Sequence, residues 1–428
     1  MGRYVDRVWD GNPSGATRAE RASCRYRAYV PDPLASAEVE LPASVAADLV
    51  DVEQQVRHLN DKQPGLANLE PLARFLLRAE AVASSNIEGL VLNVRRLARS
   101  EAAEREGLPV NDATARAVLG NIRALDESLA LASDPTSPVT LDDLLKIHKA
   151  LLTGTRDEVW AGVVRGDQNW VGGVNPCSAA FVPPPPEELG ELLTDLLEYM
   201  SGDEHPALLQ AALAHSQFET IHPFADGNGR AGRALIQLVL RRRGVAMRVL
   251  PPVSLVLATQ ADQYVEALDG TRMDGPNFAG KLAWVELFLS ATGRACRDAG
   301  EFASELVDLE AASRARLGRV RANSAADLLV TALPSLPVFS VSTAAANIGR
   351  TFQATSDAVE RLRQADVVRQ VTLGRRNRAF EAVGLFEAFT GFERSLASAE
   401  ADTRVSPPAR PVPARRARTP HRGDRFTG

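Results

Sequence analysis

HPFADGNGRAGR, residues 222–233, packs a histidine, an acid, three glycines, an asparagine and two arginines into twelve residues. One apolar helical run ends near Ile221 and another begins near Arg230, so the segment is a loop feeding a helix N-terminus. Gly227, Asn228 and Gly229 let backbone N–H groups converge on one spot with no side chain in the way. The positive end of the following helix dipole falls on the same spot, which makes an anion pocket. Arg230 and Arg233 stand three apart on one helix face and can hold two phosphate groups of one ligand. Asp226 adds a carboxylate to this cationic site, which calls for a Mg2+ ion between it and the phosphates. His222 precedes a proline that ends its helix, and an ordinary imidazole pKa of about 6.5 suits removal of a hydroxyl proton. Base, metal ligand and polyphosphate cradle on one turn describe phosphoryl or nucleotidyl transfer.

Outward from this loop the chain is helical. Apolar residues recur every three to four positions in 44–60, 70–85, 115–132, 140–152, 186–200, 206–221 and 230–244. Residues 163–186, VVRGDQNWVGGVNPCSAAFVPPPP, break the pattern with short β-favouring runs around a Gly-Gly pair and read as a hairpin. Its four prolines lead into the next helix, where Glu187 and Glu188 suit a first turn. Past Glu310 the order becomes helix, helix, turn at Gly349, helix and two strands with a tip at Gly374, Arg375 and Arg376, the order of a winged helix-turn-helix. The expected fold is therefore mainly α, a helical core with a β-hairpin flap and a C-terminal winged helix. Expected boundaries are a partly ordered lead-in at 1–35, an N-terminal helical region at 36–110, a catalytic core at 111–310, the winged helix at 311–395 and a disordered Pro/Arg-rich tail at 396–428.

A chain of 428 residues with 45% hydrophobic and 24% charged residues can bury several cores, as a soluble multidomain protein does. A net charge of −5 gives no whole-protein attraction to nucleic acid or anionic membrane, although the last 28 residues carry seven arginines against two aspartates. Cys24, Cys177 and Cys296 lack zinc spacing and read as isolated reduced thiols. No signal-peptide core or spanning apolar run occurs in the sequence, so the expected location is cytoplasmic, with no membrane partner.

The motif resembles the signature HPFxDGNGRxxR of the Fic (filamentation induced by cAMP) family, matching at His222, Pro223, Phe224, Asp226, Gly227, Asn228, Gly229, Arg230 and Arg233. The likeness spans roughly residues 28–390, with RGDQNWVGG and FVPPPP resembling the family's flap and SSNIEG its inhibitory segment. It implies a protein adenylyltransferase that moves AMP from ATP, with Mg2+, to a Ser, Thr or Tyr hydroxyl of a protein, the chain itself included. On that reading His222 is the base and Asp226 the metal ligand. Gly227, Asn228, Gly229, Arg230, Ala231, Gly232 and Arg233 would hold the phosphates, with Phe224 anchoring the loop in the core. Asn169, Trp170, Val171 and Gly172 would line the nucleotide and pair with target backbone by strand addition, and Tyr264 would lie near the adenine. His58, His148, His205 and His215 are expected to be structural.

Residues 84–89, SSNIEG, end a helix with Glu88 beside Gly89. An acid at that end opposes the helix dipole, which points to a waiting cation. Ser84, Glu88 and Gly89 are similar to the family's inhibitory pattern, which implies a Glu88–Arg233 pair that competes with the γ-phosphate. The same Glu88 offers a second direction, removal of AMP through an oriented water. A different class of function, a DNA-binding regulator with the core as sensor, rests on Arg350, Arg361, Arg363, Arg369, Arg375, Arg376 and Arg378, diluted by Asp357, Glu360 and Asp366. Winged helices also serve as docking and homodimer surfaces.

Overall fold

A computed structural model describes residues 2–61, 69–272, 279–374 and 377–397. The chain opens on β1 (Arg3–Trp9), one turn of helix α1 (Arg18–Arg21) and β2 (Cys24–Val30), with the strands paired antiparallel from Arg3↔Val30 to Trp9↔Cys24. The lead-in, expected to be only partly ordered, is thus a built hairpin. RYVDRVW alternates side chains between the two faces of the ribbon, and Thr17 with Glu20 forms a capping box at the turn between the strands.

Five helices follow: α2 (Ala43–Asn60), α3 (Glu70–Ile87), α4 (Val94–Arg105), α5 (Ala113–Leu131) and α6 (Leu141–Leu152). Asn93, Asp112 and Thr140 cap the last three through side-chain oxygens on the third helical amide. After the flap come α7 (Leu189–Ser201), α8 (Ala207–Ile221), α9 (Asn228–Arg242), α10 (Val253–Thr259), α11 (Ala261–Gly270) and α12 (Ala279–Leu317). The α8 sequence ALLQAALAHSQFETI has hardly any polar face, and all fifteen residues are buried, so it is the axis of the core. Trp284 of α12 closes on it, its indole N–H donating to the Ala212 carbonyl at 2.7 Å.

The C-terminal module is α13 (Ala325–Ala332), β3 (Val338–Phe339), α14 (Val341–Ile348), α15 (Phe352–Gln364), β4 (Val368–Leu373), β5 (Asn377–Ala382) and α16 (Leu385–Ala397). Its strands form an antiparallel sheet in the order β3-β5-β4, with Gly349 in the left-handed turn between α14 and α15. That is the element order expected of a winged helix. The expected 310/311 boundary falls inside α12, which runs unbroken to Leu317. Phe389 of α16 packs edge-on against Phe75 of α3 at 5.2 Å, so the module is seated on the helix that carries Ser84. Arg78 of α3 reinforces the seat by pairing with Glu101 at 2.7 Å and donating to the Ser335 carbonyl at 2.8 Å. Of the expected tail, Leu396 and Ala397 close α16, and the rest, like Arg375 and Arg376, lies outside the described residues.

One expectation needs correcting. Cys24 and Cys177 are joined as a disulfide across a sequence separation of 153, leaving Cys296 as the free, buried thiol. Spacing along the chain could not show this, because the pairing arises from folding β2 against the flap. The flap is also less regular than a ladder: among the described residues it has only the isolated bridges Val171↔Phe181 and Val164↔Phe224. Gly172 and Gly173, both with φ near +70°, turn its tip.

Candidate active site

α8 delivers the histidine and α9 the cradle. His222 ends α8 in the left-handed conformation (φ 50°, ψ 57°), which turns the chain sharply into the loop. Its Nδ1 faces the Glu219 backbone carbonyl at 3.3 Å and the Glu219 carboxylate at 4.0 Å. Only oxygens stand there, so Nδ1 carries the proton and Nε2 keeps the lone pair. Burial pushes the imidazole down to about 4, against the Glu219 carbonyl and with Arg272 and Arg165 adding to the fall, so His222 is neutral at pH 7 with its Nε2 lone pair free.

The loop is held from three sides. Phe224 is fully buried and stacks on His148 at 3.6 Å, as the core-anchor reading expects. His148 Nδ1 accepts from the Gly162 amide at 3.1 Å, so its Nε2 donates to the Asp226 carbonyl at 2.9 Å, and burial lowers its pKa to about 4. The Asn228 side chain bonds both ways to the Phe224 backbone, at 2.9 and 2.8 Å. The third brace is Arg165, which the sequence reading passed over. It is buried and donates to the carbonyls of His222 at 2.9 Å, Asp167 at 2.9 Å and Pro184 at 2.6 Å, tying the flap base to the loop. Asn169 acts beside it, donating to the carbonyls of Phe224 (3.1 Å) and His222 (3.3 Å).

Gly227 takes φ 80° at the N-cap, and no side chain caps α9. The Ala231 amide bonds back to the Gly227 carbonyl, so the open amides belong to Asn228, Gly229 and Arg230. A carboxylate already sits against them: any Cβ at residue 229 would collide with Glu88 Oε1. Glu88 Oε1 accepts from Arg233 Nη2 at 2.7 Å. Burial works to raise the Glu88 carboxyl, but Arg233, then Arg230 and His222, overcome it and hold the group below its ordinary value. Arg233 itself is buried, and every guanidinium nitrogen has a partner. Nε donates to Ser84 Oγ at 2.8 Å, Nη2 also to the Ser84 carbonyl at 2.8 Å, and Nη1 to the Tyr264 hydroxyl at 3.4 Å. Ser84, Glu88 and Arg233 therefore meet as the sequence reading expects, and Gly89, with φ 78°, turns the chain away after the acid.

Asp226 is half exposed and accepts from Arg230 Nη2 at 3.1 Å. The buried Nε of Arg230 has no hydrogen-bond partner among the described residues. No cluster of three or more His, Cys, Asp or Glu residues that could cage a metal occurs among them either. One carboxylate beside a phosphate cradle fits Mg2+, which takes few protein ligands and completes its shell from phosphates and water.

Several expected nucleotide contacts have other work here. Tyr264 is buried behind Arg233, its hydroxyl 2.7 Å from His215 Nε2, so it supports the arginine and presents no face to an adenine. Gly232 faces α8, where a Cβ would stand 2.6 Å from Glu219 Oε1, and Ala231 is fully buried. The Asn169 and Asn228 side chains brace the loop, as described. Trp170 packs edge-on against Trp9 of β1 at 5.4 Å, while Val171 is partly exposed near the flap tip. His148 and His215 are structural, as expected.

Residues 138–240 match the model of the Fic/DOC family, and residues 46–130 match the model of the Fic/DOC family N-terminal region. The chain thus carries the Fic/DOC family's two regions in these stretches, Ser84 and Glu88 in one and His222 and Arg233 in the other. A protein adenylyltransferase fic-1 of Caenorhabditis briggsae is 35% identical over 138 residues, 32% of this chain and 25% of that protein. A protein adenylyltransferase Fic of Culex quinquefasciatus is 31% identical over 215 residues, 47% of this chain and 40% of that protein. The chain thus spans between a quarter and two-fifths of these relatives' length. Among solved structures, a Fic family protein from Desulfovibrio desulfuricans G20 superposes with a TM-score of 0.50 at 22% identity, covering 81% of this chain and 97% of that one, which supports the fold. Among the described residues, three of the arginines proposed for DNA are engaged internally: Arg361 on the Leu317 and Arg319 carbonyls, Arg363 on Glu360, Arg369 on the buried Glu381. No helix among the described residues is long and apolar enough to cross a membrane.

Proposed function

We propose that the chain transfers AMP from ATP to a Ser, Thr or Tyr hydroxyl of a protein and restrains itself through Glu88. The observation that carries this reading is the Glu88 carboxylate seated on the α9 N-terminus and paired with Arg233 at 2.7 Å. A site that holds one anion so closely is a site for another. With Glu88 displaced, the open amides of Asn228, Gly229 and Arg230 receive phosphate oxygens, the Arg230 Nε gains its missing acceptor, and Arg233 takes the γ-phosphate. Asp226 would hold Mg2+, which screens the phosphate charge when bound. His222 Nε2 removes the proton of the acceptor hydroxyl. That oxygen bonds to the α-phosphorus, the bond from the α-phosphorus to its bridging oxygen breaks, and pyrophosphate leaves. The relatives' printed name, protein adenylyltransferase, supports the same direction of transfer.

ATP labelled at the α-phosphate in one sample and the γ-phosphate in another tests the chemistry. With Mg2+ and the Glu88→Gly chain, the α-label should enter protein and the γ-label should leave as pyrophosphate. Label from the γ-position on protein, or full incorporation by His222→Ala, would overturn the assignment.

A further inference from the structure

Glu219 is an acid with no evident structural purpose. It lies fully buried in the last turn of α8, three residues before His222, and its Oε1 has no hydrogen-bond partner among the described residues. An unsatisfied buried carboxyl group destabilises a fold by roughly 1–3 kcal/mol, so an ordinary core would hold an apolar residue there. The packing around it is arranged to admit it. Gly232 of α9 lacks the Cβ that would press on Oε1, and Oε2 stands 4.0 Å from His222 Nδ1. The backbone carbonyl of the same residue accepts the Nδ1–H at 3.3 Å and an N–H of Arg272 at 3.3 Å.

We propose that Glu219 is the positioning acid behind the His222 base: it fixes the imidazole with Nδ1 protonated and stabilises the imidazolium formed when Nε2 takes the acceptor's proton. This inference rests on the transfer reading above and deepens it. During transfer the hydroxyl O–H bond breaks and an Nε2–H bond forms, which places a full positive charge on the ring. Two cations near His222 oppose that step: Arg272 and Arg165 both disfavour a positive ring there. Glu219 and Glu88 are the acids on the other side, and Glu88 is the one that nucleotide displaces. Around Glu219 itself stand His215 and His222 on α8, Arg233 on α9, Arg272 after α11, Tyr264 on α11 and Glu88 after α3. Burial raises the Glu219 carboxyl to about 7, with Glu88 adding to the rise and Arg233 and Arg272 opposing it, so its charge appears near neutrality.

Glu219→Gln keeps the shape and removes the charge, and Glu219→Asp keeps the charge one methylene farther back. The direct reading is the His222 ring signal followed by NMR against pH in the full chain, assigned by its loss in His222→Ala. It needs neither nucleotide nor transfer, so it stands even where the transfer reading fails. In wild type the ring signal should carry a second inflection near pH 7, where the neighbouring Glu219 ionises, and Glu219→Gln should lose it while Glu219→Asp keeps one. No inflection near pH 7 in wild type, or the same inflection in Glu219→Gln, would overturn the proposal. In the Glu88→Gly background, with labelled ATP and the chain as its own acceptor, Glu219→Gln should cut kcat about tenfold and leave KM for ATP within about twofold. The rise of wild-type kcat through neutral pH should also move to lower pH, because the variant has no carboxyl left to ionise there. A loss of activity with an unshifted profile and an unchanged His222 ring titration would mark Glu219 as packing only.

Discussion

The carboxylate of Glu88 occupies the space a Cβ at Gly229 would need, with Arg233 closing over it at 2.7 Å. A segment 140 residues upstream in sequence is thereby placed where the helix dipole and three open amides ask for an anion. Inhibition on this geometry is substitution: the chain supplies its own anion to a phosphate site.

It follows that Gly229→Ala disturbs both occupants. A methyl group there expels Glu88 and then stands where a phosphate oxygen must come. In the Glu88→Gly background, Gly229→Ala should raise the Kd for ATP by about tenfold or more, read by calorimetric titration. Unchanged affinity would place the phosphates elsewhere.

Ser84 holds Arg233 in its braked position through Oγ, at 2.8 Å from Nε. Ser84→Ala leaves that buried donor unsatisfied, a loss of about 1 kcal/mol from the inhibited state. Incorporation of AMP should rise about fivefold, well short of the Glu88→Gly effect. Label incorporation at matched protein concentration measures it.

Much of this site is visible in the chain because its residues are close together. One helix turn fixes Gly227, Asn228, Gly229, Arg230 and Arg233 relative to one another, and a glycine beside an acid marks the end of α3. What the sequence hides is whatever depends on distant segments meeting. Trp9 against Trp170, Arg165 on the loop carbonyls and Cys24 with Cys177 carry no spacing signal, since the fold alone brings them together. Tyr264 shows the converse. A single aromatic position has no periodicity to say which way it faces, and packing with His215 and Trp284 turns it behind Arg233. Glu219 had a signal: an acid three residues before a histidine on one helix shares its face. β1 and β2 had one too, in the alternation of RYVDRVW and CRYRAYV.

The Cys24–Cys177 link binds the N-terminal hairpin to the flap. Thiol titration of the unfolded, unreduced chain should therefore count one free thiol, Cys296, and three after reduction. Cys24→Ser should destabilise the chain by about 2–4 kcal/mol in denaturant unfolding under oxidising conditions, and reducing agent should erase the difference.

Glu80 of α3 gives a pH signature. It is fully buried, and burial raises its pKa to about 7 although the Ser254 amide, at 2.9 Å, and hydroxyl both donate to it. The folded pKa lies above the unfolded one, so the native state binds the extra proton between about pH 4.5 and 7. Stability from this group is complete below the unfolded value and is lost as pH rises through 7. Against Glu80→Gln, the wild type should lose about 3 kcal/mol between pH 4.5 and 8, read from urea unfolding at each pH. A gap independent of pH would contradict the shift.

The most direct measurement compares wild type with Glu88→Gly for incorporation of α-labelled AMP from Mg–ATP, with His222→Ala as the blank. The account predicts little label on wild type, a rise of tenfold or more for Glu88→Gly, and none for Glu88→Gly combined with His222→Ala. Equal labelling of wild type and Glu88→Gly would contradict it, because Arg233 would then serve the nucleotide with the carboxylate still in place.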